Sequence, residues 1–109
     1  MADSAVVIMT TVPGSEEAAR LAALLLEERL AACVQELPIT STYRWEGEVC
    51  RGPEVLLLVK TTPGRSASAA SRIAAAHPYS VPEILVLGAA GGSGPYLDWL
   101  AAETGPGEA

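Results

Sequence analysis

The feature that most constrains this chain is the stretch CVQELPITSTYRWEGEVCRGPEVLLLVKTT, Cys33 to Thr62, which reads as extended backbone with one sharp reversal. Ile39, Ser41, Tyr43 and Trp45 alternate with Thr40, Thr42, Arg44 and Glu46, the period of two that a strand requires, and Gly47 gives the freedom for a tight turn. The return strand passes Val49 and meets Gly52-Pro53, where a bulge or bend is expected. It continues as the nearly all-apolar Val55–Val59, the pattern of a central strand covered on both faces. At about 3.3 Å per residue the descending arm, Val34–Trp45, reaches roughly 40 Å, whereas a globule of about 100 residues has a radius of gyration near 13 Å. The tip therefore overhangs, and a break at Pro38 would shorten the overhang to Ile39–Trp45. A ribbon that carries Tyr43, Trp45 and Gly47 beside unpaired backbone groups invites aggregation unless a neighbouring copy shelters it, so a closed homo-oligomer is expected.

The flanking segments supply the rest of a compact fold. Ala5–Val12 is β-branched and apolar and stops at Pro13-Gly14, as a buried strand before a turn does. Ser15 is placed to cap a helix running to about Ala32, with Glu16 and Glu17 in its first turn. Ala18, Ala22, Leu25, Leu26 and Leu30 recur at helical spacing, opposite Glu16, Arg20 and Glu27; Arg29 falls among the apolar positions and is expected to snorkel outward or to meet an acidic group. The alanine-rich Arg65–His77 is a second helix ended by Pro78, Glu83–Ala90 a last strand, GGSGP a loop, and Tyr96–Glu103 a brief terminal helix. The order β-α-β-β-α-β is the split, ferredoxin-like α+β arrangement, with a long β2-β3 hairpin and a short C-terminal helix.

Length and composition set bounds. A chain of 109 residues forms one domain, residues 1–109, with residues 1–4 and 105–109 expected to be flexible. With no phenylalanine, Ala, Val and Leu must fill an aliphatic core. Seven basic residues against thirteen acidic ones give a net charge of −6, which opposes binding to nucleic acid or an anionic membrane. The run Val55–Val59 is far below the roughly 20 residues of a spanning helix, and MADSAVVIM lacks the basic flank of a signal peptide, so the expected location is cytoplasmic. Cys33 and Cys50 form no CxxC pair, and a reducing compartment keeps them as thiols.

Candidate chemistry is sparse. His77, the lone histidine, precedes Pro78 at a helix end, where it reads as a capping residue, a metal ligand or a proton-transfer group. Cys33 reads as a small buried hydrophobe or a thiolate, and a Cys33–His77 nucleophilic pair lacks an evident orienting carboxylate. Enzymatic activity is not expected. Lys60, the only lysine, ends the apolar strand as a solvated terminus or as a charge facing a cleft, with Glu83 as its counter-charge if the last strand lies beside it. The run GAAGGSGPY, Gly88–Tyr96, lacks the Lys-Ser/Thr that a phosphate cradle needs, and its glycine-rich part, residues 88–95, reads as loop.

Five blocks carry a resemblance: ERLAACV at Glu28–Val34, YRWEGEV at Tyr43–Val49, LLLVKTT at Leu56–Thr62, HPYSVPEI at His77–Ile84 and YLDWL at Tyr96–Leu100. Together they resemble the CutA divalent-cation tolerance protein family. The resemblance implies a ferredoxin-like subunit related to the PII signalling proteins, assembled as a homotrimer whose hairpins pair between subunits. It also implies tolerance to divalent metals, copper especially, with no required cofactor. The family's copper constellation is a first-strand cysteine and two adjacent histidines before the PY motif. Those positions are Thr10, Ala76 and His77 here, which leaves His77 as the ligand and Cys33 and Glu83 as candidates to complete a weak Cu(II) site. An inter-subunit cleft gathering Cys33, Lys60, Tyr79 and Glu83 would serve the alternative role, a PII-like sensor that holds a small anionic metabolite through Lys60.

Overall fold

A computed structural model describes residues 4–106. Its elements follow the order β1 (Val6–Val12), α1 (Ser15–Glu27), β2 (Cys33–Trp45), β3 (Glu48–Thr61), α2 (Pro63–Ala76), β4 (Leu85–Gly88) and α3 (Gly94–Glu103). The four strands form one sheet in the order β2-β3-β1-β4, every neighbouring pair antiparallel. Insertion of β3 between β1 and β2 is the ferredoxin-like split that the element order implied.

Side-chain alternation assigns each face of this sheet. Val6, Ile8 and Val12 of β1 lie with Leu57 and Val59 of β3 in a buried core closed by Ala18, Leu21 and Leu25 of α1 and Ala69 and Ile73 of α2. Both helices therefore cover the same face, and a bidentate Arg72–Glu28 pair, 3.0 and 3.1 Å, ties them together at the surface. α3 packs separately, with Leu97 and Leu100 against Ala5 and Ala32.

The opposite face has no such cover. Val7 and Met9, Leu56 and Leu58, Leu37, Leu85 and Leu87 share it by register, and Leu37, Leu85 and Leu87 are 42, 55 and 46% exposed. The run Val55–Val59, expected to be covered twice, is covered by this chain on the helix side alone: Leu57 and Val59 are fully buried while Leu56 and Leu58 are only half-buried. A contiguous apolar sheet face of this kind marks an interaction surface.

The hairpin is longer and more regular than its prolines suggested. β2 and β3 pair one-to-one from Cys33↔Lys60 to Trp45↔Glu48, with Pro38 opposite Val55 and Pro53 opposite Thr40, so neither a break nor a bulge occurs. Pro38 lies on an edge strand, and Pro53 lies beyond Val12↔Val55, the last pair of β1, where β3 has a neighbour on one side only. Positive φ at Glu46 (50°) and Gly47 (81°) gives the two-residue primed turn whose twist matches the strands. The arm beyond β1 makes the molecule 48 Å long and about half as wide, 25 × 23 Å.

Helix α1 stops at Glu27, not Ala32, because Arg29 turns left-handed at φ 56°. The Leu30 amide donates to Leu25 O at 2.9 Å and the Arg29 amide to Leu26 O at 3.0 Å, a Schellman ending built without glycine. The backbone cost is offset from the C-terminus: Gly105 N donates to Arg29 O at 2.7 Å, and Arg29 Nη2 donates to Ala102 O at 3.0 Å. Arg29 is thus a clasp for α3 instead of a snorkelling helix residue. Leu26, assigned to the apolar face, is 44% exposed, and Leu21 is buried in its place. The helix cap is Gly14 backbone, Ser15 being the first helical residue. β4 is confined to Leu85–Gly88. Of the ends expected to be flexible, 105 and 106 are held, the latter by Arg65 Nη1 donating to Pro106 O at 3.0 Å; 1–3 and 107–109 lie outside the described residues.

Ile73, fully buried between α2 and the sheet, should lose about 2–5 kcal/mol of stability as Ile73→Ala in urea unfolding; a loss under about 1 kcal/mol would contradict this packing.

Candidate functional site

The segment from His77 to Ile84 carries the chain from α2 to β4 past the end of β1. Pro78 excludes helical geometry at His77, whose backbone is extended at φ −75°, ψ 139°. The imidazole folds back on β1. Tyr79 N–H donates to Nδ1 at 3.1 Å, and Nε2 lies 2.9 Å from Thr11 O and 3.1 Å from Thr10 Oγ1. A backbone amide only donates and a carbonyl only accepts, so Nδ1 is bare and Nε2 carries the proton, which fixes a neutral tautomer. Burial lowers the His77 pKa below 6.5, opposed in smaller part by the Thr11 carbonyl and the charge of Glu54. Thr10, fully buried in line with Ile8 and Val12, finds in this ring a partner for its hydroxyl.

Tyr79 continues the clasp. Its ring lies 5.1 Å from the His77 ring at 42°, and its hydroxyl donates to Glu54 Oε2 at 2.8 Å. Burial, then the Glu54 bond and charge, push the phenol up to about 12. The loop is thereby fastened to β3 where β1 has ended. Between loop and hairpin runs a groove of about 680 Å³, with Tyr43, Trp45 and Glu54 on the hairpin side and Tyr79, Ser80 and Glu83 on the loop side.

This geometry divides the residues singled out from sequence. Tyr79 and Glu83 meet Tyr43 and Trp45 in the groove, but Cys33 and Lys60 do not line it. Those two are register partners of each other at the far end of the hairpin, and Lys60 lies six residues along β3 from Glu54, roughly 20 Å at strand rise. Within one chain the groove therefore holds Tyr79 and Glu83, whereas the cleft expected to gather all four is one between subunits. The groove's acids are Glu54 and Glu83, and none of the residues that line it within this one chain is basic. Glu83 is not the counter-charge of Lys60, because β1 separates β3 from β4.

The expected metal set does not come together within one chain either. Among the described residues no three His, Cys, Asp or Glu side chains gather as a metal cluster, so His77, Cys33 and Glu83 do not form one. His77 and Thr10, by contrast, are in contact. The ring nitrogens of His77 are engaged by Thr10, Thr11 and Tyr79, and Cys33 is not among their partners. Cys50 is a half-buried free thiol opposite Tyr43. The glycine-rich loop leads into α3, and a Cβ at Gly92 would press on Leu97 at 3.2 Å, so glycine there admits core packing. Sequence reading missed Glu54. Counting back from a two-residue turn at Gly47 puts it opposite Ile39, on the Tyr43 face, a register that an expected bulge at Gly52-Pro53 obscured.

A ferredoxin-like sheet with an overlong hairpin and a groove along that arm defines the structural class of the PII-like proteins. The model of the CutA1 divalent ion tolerance protein family matches residues 6–103, and the chain belongs to that family. The divalent-cation tolerance protein CutA of Thermus thermophilus is 52% identical over 100 residues, covering 91% of this chain and 97% of the relative. A chloroplastic CutA of Arabidopsis thaliana is 41% identical across 91% of this chain and 55% of its own length. Among solved structures, the Thermus thermophilus Cut A1 protein superposes with a TM-score of 0.88 at 51% identity, covering 93% of this chain and 99% of its own. The PII-like protein CutA from Nostoc does so at 0.87 and 35%, covering 92% and 97%.

Protonation of His77 would set an Nδ1–H against the Tyr79 N–H. The folded-state pKa is lowered, so the neutral ring's contribution to stability is complete above 6.5 and is lost as pH falls through the folded value. The imidazole should therefore titrate below 6.5 by NMR, and wild type should lose more thermal stability between about pH 7 and 5 than His77→Asn; equal losses would contradict the clasp.

Proposed function

We propose that this chain is a homotrimeric, cytoplasmic, non-enzymatic protein of divalent metal tolerance that binds Cu(II) or a similar ion weakly. The names of its CutA relatives support the metal role. The uncovered apolar face of the sheet supports assembly, and likeness to a PII-like CutA supports three copies. No described helix is long and apolar enough to cross a membrane.

The single observation that carries the metal reading is the meeting of Thr10 and His77, 67 residues apart, at 3.1 Å. These are the first-strand and pre-PY positions at which the family resemblance puts metal ligands. Weakness follows from the chemistry present: threonine replaces the thiolate, and an ion gains a histidine lone pair only by displacing the Tyr79 amide from Nδ1 or the proton from Nε2. Calorimetric titration of Cu(II) into the assembled wild type should show weak binding that His77→Ala removes. Identical isotherms would take His77 out of the metal site.

A second reading, a PII-like sensor of a small molecule, rests on the groove itself, whose volume of about 680 Å³ falls within the range of small-ligand sites. An anionic metabolite held through Lys60 finds no support there, since Lys60 stands at the other end of β3.

A further inference from the structure

The clasp that fastens the loop after α2 stands between His77 and any ion. In the neutral tautomer the one bare ring nitrogen is Nδ1, and the Tyr79 amide donates to it at 3.1 Å. Nε2 spends its proton on Thr11 O at 2.9 Å, with Thr10 Oγ1 at 3.1 Å. The ring is thus held at both nitrogens. It is also held from the side: the Tyr79 ring lies 5.1 Å away, tilted by 42°, so the imidazole leaves β1 only by moving past the phenol. The phenol is itself tied down, donating to Glu54 Oε2 at 2.8 Å. His77, Tyr79 and Glu54 are all half-buried. Every bond in this series lies within a single chain, so it is complete without any residue of another copy.

We propose that Tyr79 is a latch over His77: while its hydroxyl is bonded to Glu54, Nδ1 is blocked, and an ion binds His77 only when that bond opens and residues 77–84 move off β3. The latch presupposes that His77 is the metal ligand proposed above. It lowers apparent affinity by the fraction of chains that stand open. By linkage the effect is reciprocal, so an ion held by His77 loosens the loop from the hairpin as much as the Tyr79–Glu54 bond weakens the hold on the ion. Metal tolerance thereby gains a structural readout, a loop that leaves β3 when the ion arrives. Binding through Nε2 instead, with loss of its proton, would leave Tyr79 in place and make affinity independent of Glu54.

The test is calorimetric titration of Cu(II) into assembled wild type, Tyr79→Phe and Glu54→Gln, each with and without His77→Ala. Tyr79→Phe keeps the ring and deletes the bond, and is expected to bind about fivefold more tightly than wild type. Glu54→Gln keeps an acceptor while removing its charge, and is expected to fall between the two. Both gains should vanish with His77→Ala. Without metal, amide hydrogen exchange of residues 79–81 should be faster in Tyr79→Phe than in wild type, and Cu(II) should speed it in wild type. Equal affinity in wild type and both variants, with His77 still required, would overturn the latch and leave the metal reading standing. Weaker binding by Tyr79→Phe would also overturn it, making the phenol a support for the ion. Binding of Cu(II) by none of the proteins would remove the latch and the metal reading together.

Discussion

Burial of one sheet face and not the other is the constraint on which the rest of this structure depends. Two amphipathic helices suffice to close the face of Ile8, Val59 and Leu57, and α3 packs beside them on its own small cluster. Leu37, Leu85 and Leu87 remain about half exposed on the other face, where covering each would contribute about 1 kcal/mol. Summed over the sheet face, that is a driving force for covering it with another copy. The free edge of β3 beside Glu48–Glu54, together with the exposed rings of Tyr43 and Trp45, extends the same need along the hairpin.

The loop after α2 is the second consequence of this architecture. β1 has only 7 residues and β3 has 14, so half of β3 projects past its neighbour. The His77–Tyr79 clasp occupies the corner so created, with the imidazole on the end of β1 and the phenol on Glu54 of β3. One short segment therefore both gives the buried Thr10 hydroxyl oxygen a donor and forms a wall of the groove. Any ligand chemistry at His77 competes with these structural bonds, and any guest in the groove rests against the loop they hold in place.

Much of the fold was legible because period and turn chemistry agree along the chain. Alternation from Ile39 to Trp45, glycine at 47 and the apolar run at 55–59 sufficed for the hairpin, and strand order followed from element order. Two kinds of feature were not legible. The α1 terminus lies at Arg29, where no glycine announces a left-handed residue and the stabilising contacts come from residues 102 and 105. Consecutive Leu24, Leu25 and Leu26 leave the phase of the helix undetermined, so Leu26 was taken for a core residue. The site was half legible: Tyr79 and Glu83 were named together and meet in one groove, while Cys33 and Lys60, grouped with them by motif position as parts of a cleft between subunits, lie at the far end of the hairpin within one chain. Prolines at 38 and 53 suggested interruptions that an edge strand and an unpaired strand edge make unnecessary.

The claim that copies of this chain cover its open sheet face is tested most directly by sedimentation equilibrium of the unmodified protein at low micromolar concentration. The account predicts a single species of three times the 11.2 kDa chain mass. A stable, well-behaved species at 11.2 kDa would contradict it.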